Sequence, residues 1–337
     1  MQLREIFEVV DMHVAGEPLR IVTAGYPPLG GGTILDKRDF LAHRLDHYRR
    51  RLMFEPWGHE AMYGCLLVDP ERSDSAYGLI FMHNQGYSSM CGHATLGVVT
   101  MLVETGRIAA LPGAAEVVVK LDVPSGQVVG HARLDGDGRV ASAWFENVPS
   151  YAAGLSVPLI VNGGEIFVDV GFGGGYYAIV DAGQLGIRVD PDHIDELIQW
   201  AGPIKAAAEA TNLAKHPLDA RLNGFYGVIF TDAPGDQAHH SRTLTVFADN
   251  QVDRSPCGSC VSARLAVLAA QGYIEQGQAY RFESVIGTVF TGTWTGAGPT
   301  LGGTASQRTS ISGQASVTGF RRFFGNPHDE VSPFLLR

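Results

Sequence analysis

Residues Gly92 to Glu104 read GHATLGVVTMLVE, residues Gly258 to Ala270 read GSCVSARLAVLAA, and each run follows directly on a cysteine, Cys91 or Cys257. Small and apolar residues occupy nearly every position of both runs. Neither has the one-sided polar stripe of a surface helix, so each predicts a helix buried on all sides. Their spacings also match. Each cysteine is followed at once by Gly (Gly92, Gly258), each helix stops at a second Gly at the same offset (Gly106, Gly272), and an Ile comes two residues later (Ile108, Ile274). Gly at that point supplies a left-handed C-cap. Two helices of one length, both opened by Cys-Gly, are what an internal duplication leaves behind.

Working outward, the flanking sequence supplies sheets for both helices. Phe7 to Thr23 predicts two strands joined at Ala15-Gly16, with further strands over Ala61 to Val68, Tyr77 to His83, between Val117 and Glu146, between Ile166 and Ala182, and over Tyr226 to Thr231 and Thr243 to Ala248. Leu35 to Arg51 has the pattern of a surface helix, and Arg49-Arg50-Arg51 reads as its solvated end. Pro191 to Glu209 is a more polar helical stretch. GFGGG, residues 171–175, lacks the Lys-Ser/Thr of a phosphate loop and reads as strand and turn. The fold class expected is α/β (α+β) in two pseudo-symmetric domains, 1–148 and 149–317, with residues from about 318 to 337 returning to the first.

A chain of 337 residues suits two domains with a cleft between them, and 45% hydrophobic against 18% charged residues is the composition of a globular protein. The net charge of −10 argues against a nucleic-acid surface, which needs clustered Lys and Arg. No apolar run approaches bilayer length and MQLREIFEVV lacks the features of a secretory signal, so no membrane partner is expected and the cytoplasm is the expected compartment. Cys65, Cys91, Cys257 and Cys260 are too few and uneven for a disulfide framework and read as thiols. Cys257-x-x-Cys260 has no second pair, and His239-His240 has no carboxylate or third His at helical spacing, so no metal site is expected.

A helix start carries unpaired N–H groups and the positive end of the peptide dipole, which lower a thiol pKa and hold anions. Cys91 and Cys257 are therefore expected as thiolates near neutral pH, with the N–H groups of Gly92, His93, Gly258 and Ser259 available to a carboxylate. If the halves face each other, a thiol approaches a small anion from each side. One thiolate then removes an α-proton and the opposed thiol returns one, with the helix-start amides stabilising the carbanion. Asp253, in a turn that Pro256 stiffens, either caps that turn or accepts hydrogen bonds from a substrate ammonium. His93 is either a satisfied polar residue or part of the site.

Met90-Cys91-Gly92-His93 and Asp253-Arg254-Ser255-Pro256-Cys257-Gly258 resemble the two signature motifs of the proline racemase superfamily. Asp11-Met12-His13, Gly16-Glu17-Pro18, Gly86-Tyr87-Ser88-Ser89 and Phe145-Glu146-Asn147-Val148-Pro149-Ser150 are similar to it as well, so the resemblance spans the chain. It implies a diaminopimelate epimerase-like fold, each domain a β-barrel-like sheet around a central helix. It also implies catalysis by Cys91 and Cys257 with neither pyridoxal phosphate nor metal. The amides of Gly92, His93, Gly258 and Ser259 would hold the carboxylate, Asp253 and His93 would lie near the ring nitrogen, and a homodimer would form.

Within the superfamily, trans-3-hydroxy-L-proline dehydratases commonly carry Thr where this chain has Cys257. Two thiols favour inversion of proline or a hydroxyproline. Yet DMHVAGEPLRIV and Cys260-Val261-Ser262-Ala263-Arg264 look closer to the dehydratase branch, and Val246-Phe247-Ala248-Asp249-Asn250 replaces the Leu-Cys-Pro-Gly run of many 4-hydroxyproline epimerases. Cys260 stands where the family usually has Gly. Dehydration to Δ1-pyrroline-2-carboxylate is thus the second expectation, and a thiol redox or amino-acid-binding protein built on Cys257 and Cys260 the third.

Overall fold

The computed structural model describes residues 6–326 and 328–336. In the first half β1 (Ile6–Val14) and β2 (Glu17–Ala24) form a hairpin. Its two-residue turn is Ala15-Gly16, both at positive φ (51° and 92°), as the sequence leads one to expect. Then β2 runs parallel to β3 (Tyr63–Val68), and β3 runs antiparallel to β4 (Tyr77–His83). The edge of β4 carries the short β5 (Tyr87–Ser88) and runs parallel to β6 (Glu116–Val123), which continues antiparallel through β7 (Gly126–Leu134) to β8 (Val140–Glu146).

The second half repeats this order. β9 (Tyr151–Val161) pairs with β10 (Gly164–Phe172), and β10 with β11 (Tyr176–Asp181), across the three-glycine turn at residues 173–175. β11 runs parallel to β12 (Phe225–Asp232), and β12 runs antiparallel to β13 (Ser241–Phe247). β13 carries the short β14 (Gln251–Asp253) and runs parallel to β15 (Ala279–Ser284), followed by β16 (Val289–Ala297) and β17 (Gln307–Gly313). β18 (Ala315–Phe324) goes back to pair with β1, and β8 pairs with β17 to join the halves.

Five α-helices occur among the described residues: α1 (Ile34–Phe40), α2 (Asp46–Met53), α3 (Gly92–Glu104), α4 (Ile194–Ala210) and α5 (Gly258–Ala270). Every residue of α3 from Gly92 to Leu102 is buried, and α5 is buried from Gly258 to Ala263. Each buried Leu, Val or Met is worth roughly 1.5–3 kcal/mol of transfer free energy, so these two helices organise their halves. They stop as expected: Gly106 (φ 67°) and Gly272 (φ 74°) turn left-handed, and their N–H groups bond Val103 O and Ala269 O.

The expected surface helix over 35–51 is instead α1 and α2 joined through a π-helical turn, Leu41–Leu45. Arg49 is buried rather than solvated. Its Nη1 donates to His83 O at 2.6 Å and Asn84 O at 2.5 Å, and Asp46 pairs with its other face. At the end of β4 a rigid guanidinium thus bonds two backbone carbonyls at once. Among the described residues no helix is long and apolar enough to cross a membrane.

Candidate active site

The starts of α3 and α5 meet backbone to backbone. A Cβ built on Gly92 would lie 2.5 Å from Gly258 Cα, and one on Gly258 would lie 2.8 Å from Gly92 Cα, with Phe145 Cζ closing the third side. Only hydrogen fits at either position, so glycine here is a requirement of close approach rather than of helix start. Cys91 and Cys257, one residue upstream, are carried to this seam from opposite halves, and both are buried. Cys257 lies close enough to act electrostatically on Cys91, an effect smaller than burial.

The two thiols are held differently. Cys91 has ordinary extended backbone (φ −146°), and its Sγ accepts the Ala94 N–H at 3.4 Å and faces His93 Nδ1 at 3.1 Å. Cys257 sits at φ 61°, ψ 103°, outside the usual left-handed well and costly for a residue with a Cβ. Its N–H donates to Ser255 Oγ at 3.1 Å, and Ser255 in turn donates through N–H and hydroxyl to Asp253 Oδ1. That turn holds the strained residue in place. Cys257 Sγ lies 3.5 Å from Ser259 Oγ, which meets Tyr177 OH at 2.8 Å.

Cys91 departs from the thiolate expected at a helix start. Burial pushes its pKa well above the ordinary value of 9.0, outweighing the Tyr63 hydroxyl and the Ala94 N–H that pull it down. Desolvation of the anion is the larger effect. At neutral pH Cys91 is a thiol.

The remaining candidate residues converge on the same seam. The first-turn N–H groups of Gly92, His93, Gly258 and Ser259 have no partners within their own helices, and both dipoles point their positive ends at it. Asp253 caps its turn through Oδ1, one of the two roles the sequence allowed, while Oδ2 faces His93 Nδ1 at 4.0 Å across the halves. Burial lowers the His93 pKa against the pull of Asp253, keeping the ring neutral at neutral pH. GFGGG packs against both helix starts: a Cβ on Gly173 would lie 2.1 Å from Ser259 O, and one on Gly174 2.4 Å from Met90 Cβ.

Several residues were not legible as site residues. Glu17 is fully buried and accepts the Arg254 N–H at 2.7 Å; burial first, then Asp253, raises its pKa well above the ordinary carboxylate value. Tyr63 OH meets Ser88 Oγ at 2.6 Å, and Ser88 Oγ meets Tyr226 OH at 3.0 Å. The Tyr63 ring packs edge-on against His93 at 4.7 Å. The available signals were the Gly16-Glu17-Pro18 and Gly86-Tyr87-Ser88-Ser89 similarities; nothing local marks Tyr63 or Tyr226. Cys260 accepts the Thr245 hydroxyl at 3.2 Å and packs beside Cys257, and all four cysteines are free. No group of three metal-ligating side chains occurs among the described residues.

The sequence matches the proline racemase family over residues 9–334. The chain belongs to that family. It is 39% identical over 342 residues to a trans-3-hydroxy-L-proline dehydratase of Bacillus thuringiensis subsp. konkukian, covering all of both chains. It is 37% identical over 338 residues to a 4-hydroxyproline 2-epimerase of Streptosporangium roseum, again covering all of both. A solved hydroxyproline epimerase from Agrobacterium vitis, with bound trans-4-hydroxy-L-proline, superposes with TM-score 0.91 at 28% identity, over 100% of this chain and 97% of that one. The two-part α/β architecture expected from the sequence is thus the fold of this proline racemase family member.

Proposed function

We propose that this chain is a cofactor-independent racemase or epimerase that inverts the α-carbon of proline or a hydroxyproline between two thiols, Cys91 and Cys257. The supporting observation is the Gly92–Gly258 backbone contact, which sets two cysteine-bearing helix starts face to face. The substrate carboxylate binds the N–H groups of Gly92, His93, Gly258 and Ser259, where both dipoles favour negative charge. Asp253 Oδ2, with neutral His93 beside it, takes the ring ammonium. The thiols share one proton. With Cys91 held protonated by burial, Cys257 as thiolate removes the α-proton and Cys91 delivers its own to the opposite face. The amides stabilise the planar carbanion between the two transfers. At the end the proton has moved from Cys91 to Cys257, which equips the pair for the mirror-image substrate.

A second reading rests on the dehydratase named among the 39%-identical relatives. Removal of the same α-proton from trans-3-hydroxy-L-proline, with loss of the 3-hydroxyl as water, leaves the C2–C3 enamine, which tautomerises to Δ1-pyrroline-2-carboxylate, and needs only one thiol. Incubation of the purified protein with L-proline, trans-4-hydroxy-L-proline and trans-3-hydroxy-L-proline in D₂O decides between them. Inversion gives α-deuteration and change of optical rotation without imine; dehydration gives an imine that a carbonyl reagent traps. Neither product from any of the three would reject both readings. The scheme invokes no metal, so activity should survive a chelator. We also infer a cytoplasmic homodimer, which light scattering and cell fractionation would test.

A further inference from the structure

Besides Glu17 Oε1 and Arg254 Nη1, two buried polar atoms beside the seam have no hydrogen-bond partner: His83 Nε2 and Gln251 Oε1. They belong to different halves. His83, the last residue of β4, lies opposite Tyr63 in the β3–β4 ladder, so its ring shares a face with the tyrosine that packs on His93. Its Nδ1 accepts the Gln85 N–H at 3.3 Å, which places the ring proton on Nε2. Burial, with Arg49 adding to it, drops the His83 pKa to about 3, so the ring stays a neutral donor at working pH.

Gln251, the first residue of β14, pairs with Phe247, whose ring packs edge-on to His83 at 5.8 Å. Its Nε2 donates to Asn84 Oδ1, which leaves Oε1 as the free acceptor. Asp253 lies two residues further along the same strand, on the same face as Gln251. The orphan acceptor thus shares a strand face with Asp253, and the orphan donor stands one ring away from His93, across Tyr63. Leaving either buried and unmet is costly, and the remedy is a ligand group that both accepts and donates.

A hydroxyl is such a group. Resting on the proposed reading of the site, we infer that His83 and Gln251 form the specificity pocket for a hydroxyl on the substrate ring, His83 Nε2–H donating to it and Gln251 Oε1 accepting from it. Arg49, through its bonds to the His83 and Asn84 carbonyls, positions this wall. An unsubstituted ring leaves both atoms unmet, and sites built to bond a hydroxyl discriminate against analogues that lack one.

The test is the ratio of kcat/KM for hydroxylated over unsubstituted proline, in the wild type and in His83→Leu and Gln251→Met. We expect the wild type to favour a hydroxyproline by at least about tenfold, and each variant to lower that ratio about ten- to hundredfold. Inhibition by pyrrole-2-carboxylate, which is planar and carries no hydroxyl, should be unchanged in both variants; a purely structural lesion would weaken it. An unchanged ratio, or inhibition lost in step with it, overturns the assignment. So does a wild type indifferent to the hydroxyl, a result that needs no variant to fold and leaves the two-thiol site standing. A wild type that turns over no proline derivative removes the site reading and this one with it.

Discussion

The start of α3 and the start of α5 share a Cys-Gly opening, matched length and a mutual glycine contact, yet they hold their thiols by different means. Cys91 lies on relaxed backbone and caps its own helix, while Cys257 is held at positive φ by a Ser255–Asp253 turn and caps nothing. Duplication preserved the frame and let the two chemical environments diverge. This is what a two-base site needs if one thiol is to begin as acid and the other as base.

The largest effect should come from the thiols themselves. Cys91→Ser and Cys257→Ser are each expected to slow α-inversion by roughly 10²–10⁴. Should one of the two variants still release imine while the other is inert, the halves are chemically unequal and dehydration is the reaction. Full activity in Cys91→Ser would remove the two-thiol scheme altogether.

Next comes the contact the halves share. Gly92→Ala and Gly258→Ala put a methyl against backbone that cannot swing aside, and each should lower unfolding free energy in urea by about 1–3 kcal/mol and reduce inversion at least tenfold. Equal losses from the two would confirm that the seam is symmetric; a silent substitution would mean that the helix starts have room to separate.

The acid–base asymmetry is open to a pH test. Because burial raises the Cys91 pKa above 9.0, little of it is thiolate at pH 7, and its alkylation by iodoacetamide should accelerate only as pH climbs beyond that value. Peptide mass spectrometry across pH follows each thiol separately. A Cys91 rate already at its plateau at pH 7 would show that the helix start outweighs desolvation.

The smallest effect concerns the backbone. Cys91→Gly loses a cap and Cys257→Gly relieves a positive φ, so the first should destabilise the protein by about 1–2 kcal/mol more than the second. Equal costs in thermal unfolding would indicate that the strain at Cys257 is negligible.

Much of the frame was legible because its signals are local. A helix without a polar stripe announces burial, Gly106 and Gly272 announce its end, and Ala15-Gly16 announces a hairpin, since each depends on residues a few positions apart. The repeated Cys-Gly spacing likewise singled out both thiols, and with them the amides beside them. Arg49 misled because a run of three arginines resembles a solvated face; only the carbonyls of His83 and Asn84, 34 and 35 residues away, explain its burial.

The sequence by itself determined that there are two buried helices, that they are alike, and that each carries a cysteine at its start. Folding decided that the starts touch through Gly92 and Gly258, that Cys91 is a thiol rather than a thiolate, and that Glu17, Tyr63, His83 and Gln251 stand around the seam. The physical reason is that helix periodicity and capping are set within a few residues along the chain. Desolvation and orphaned hydrogen bonds depend on which distant strands exclude water from a side chain, and no local pattern records that.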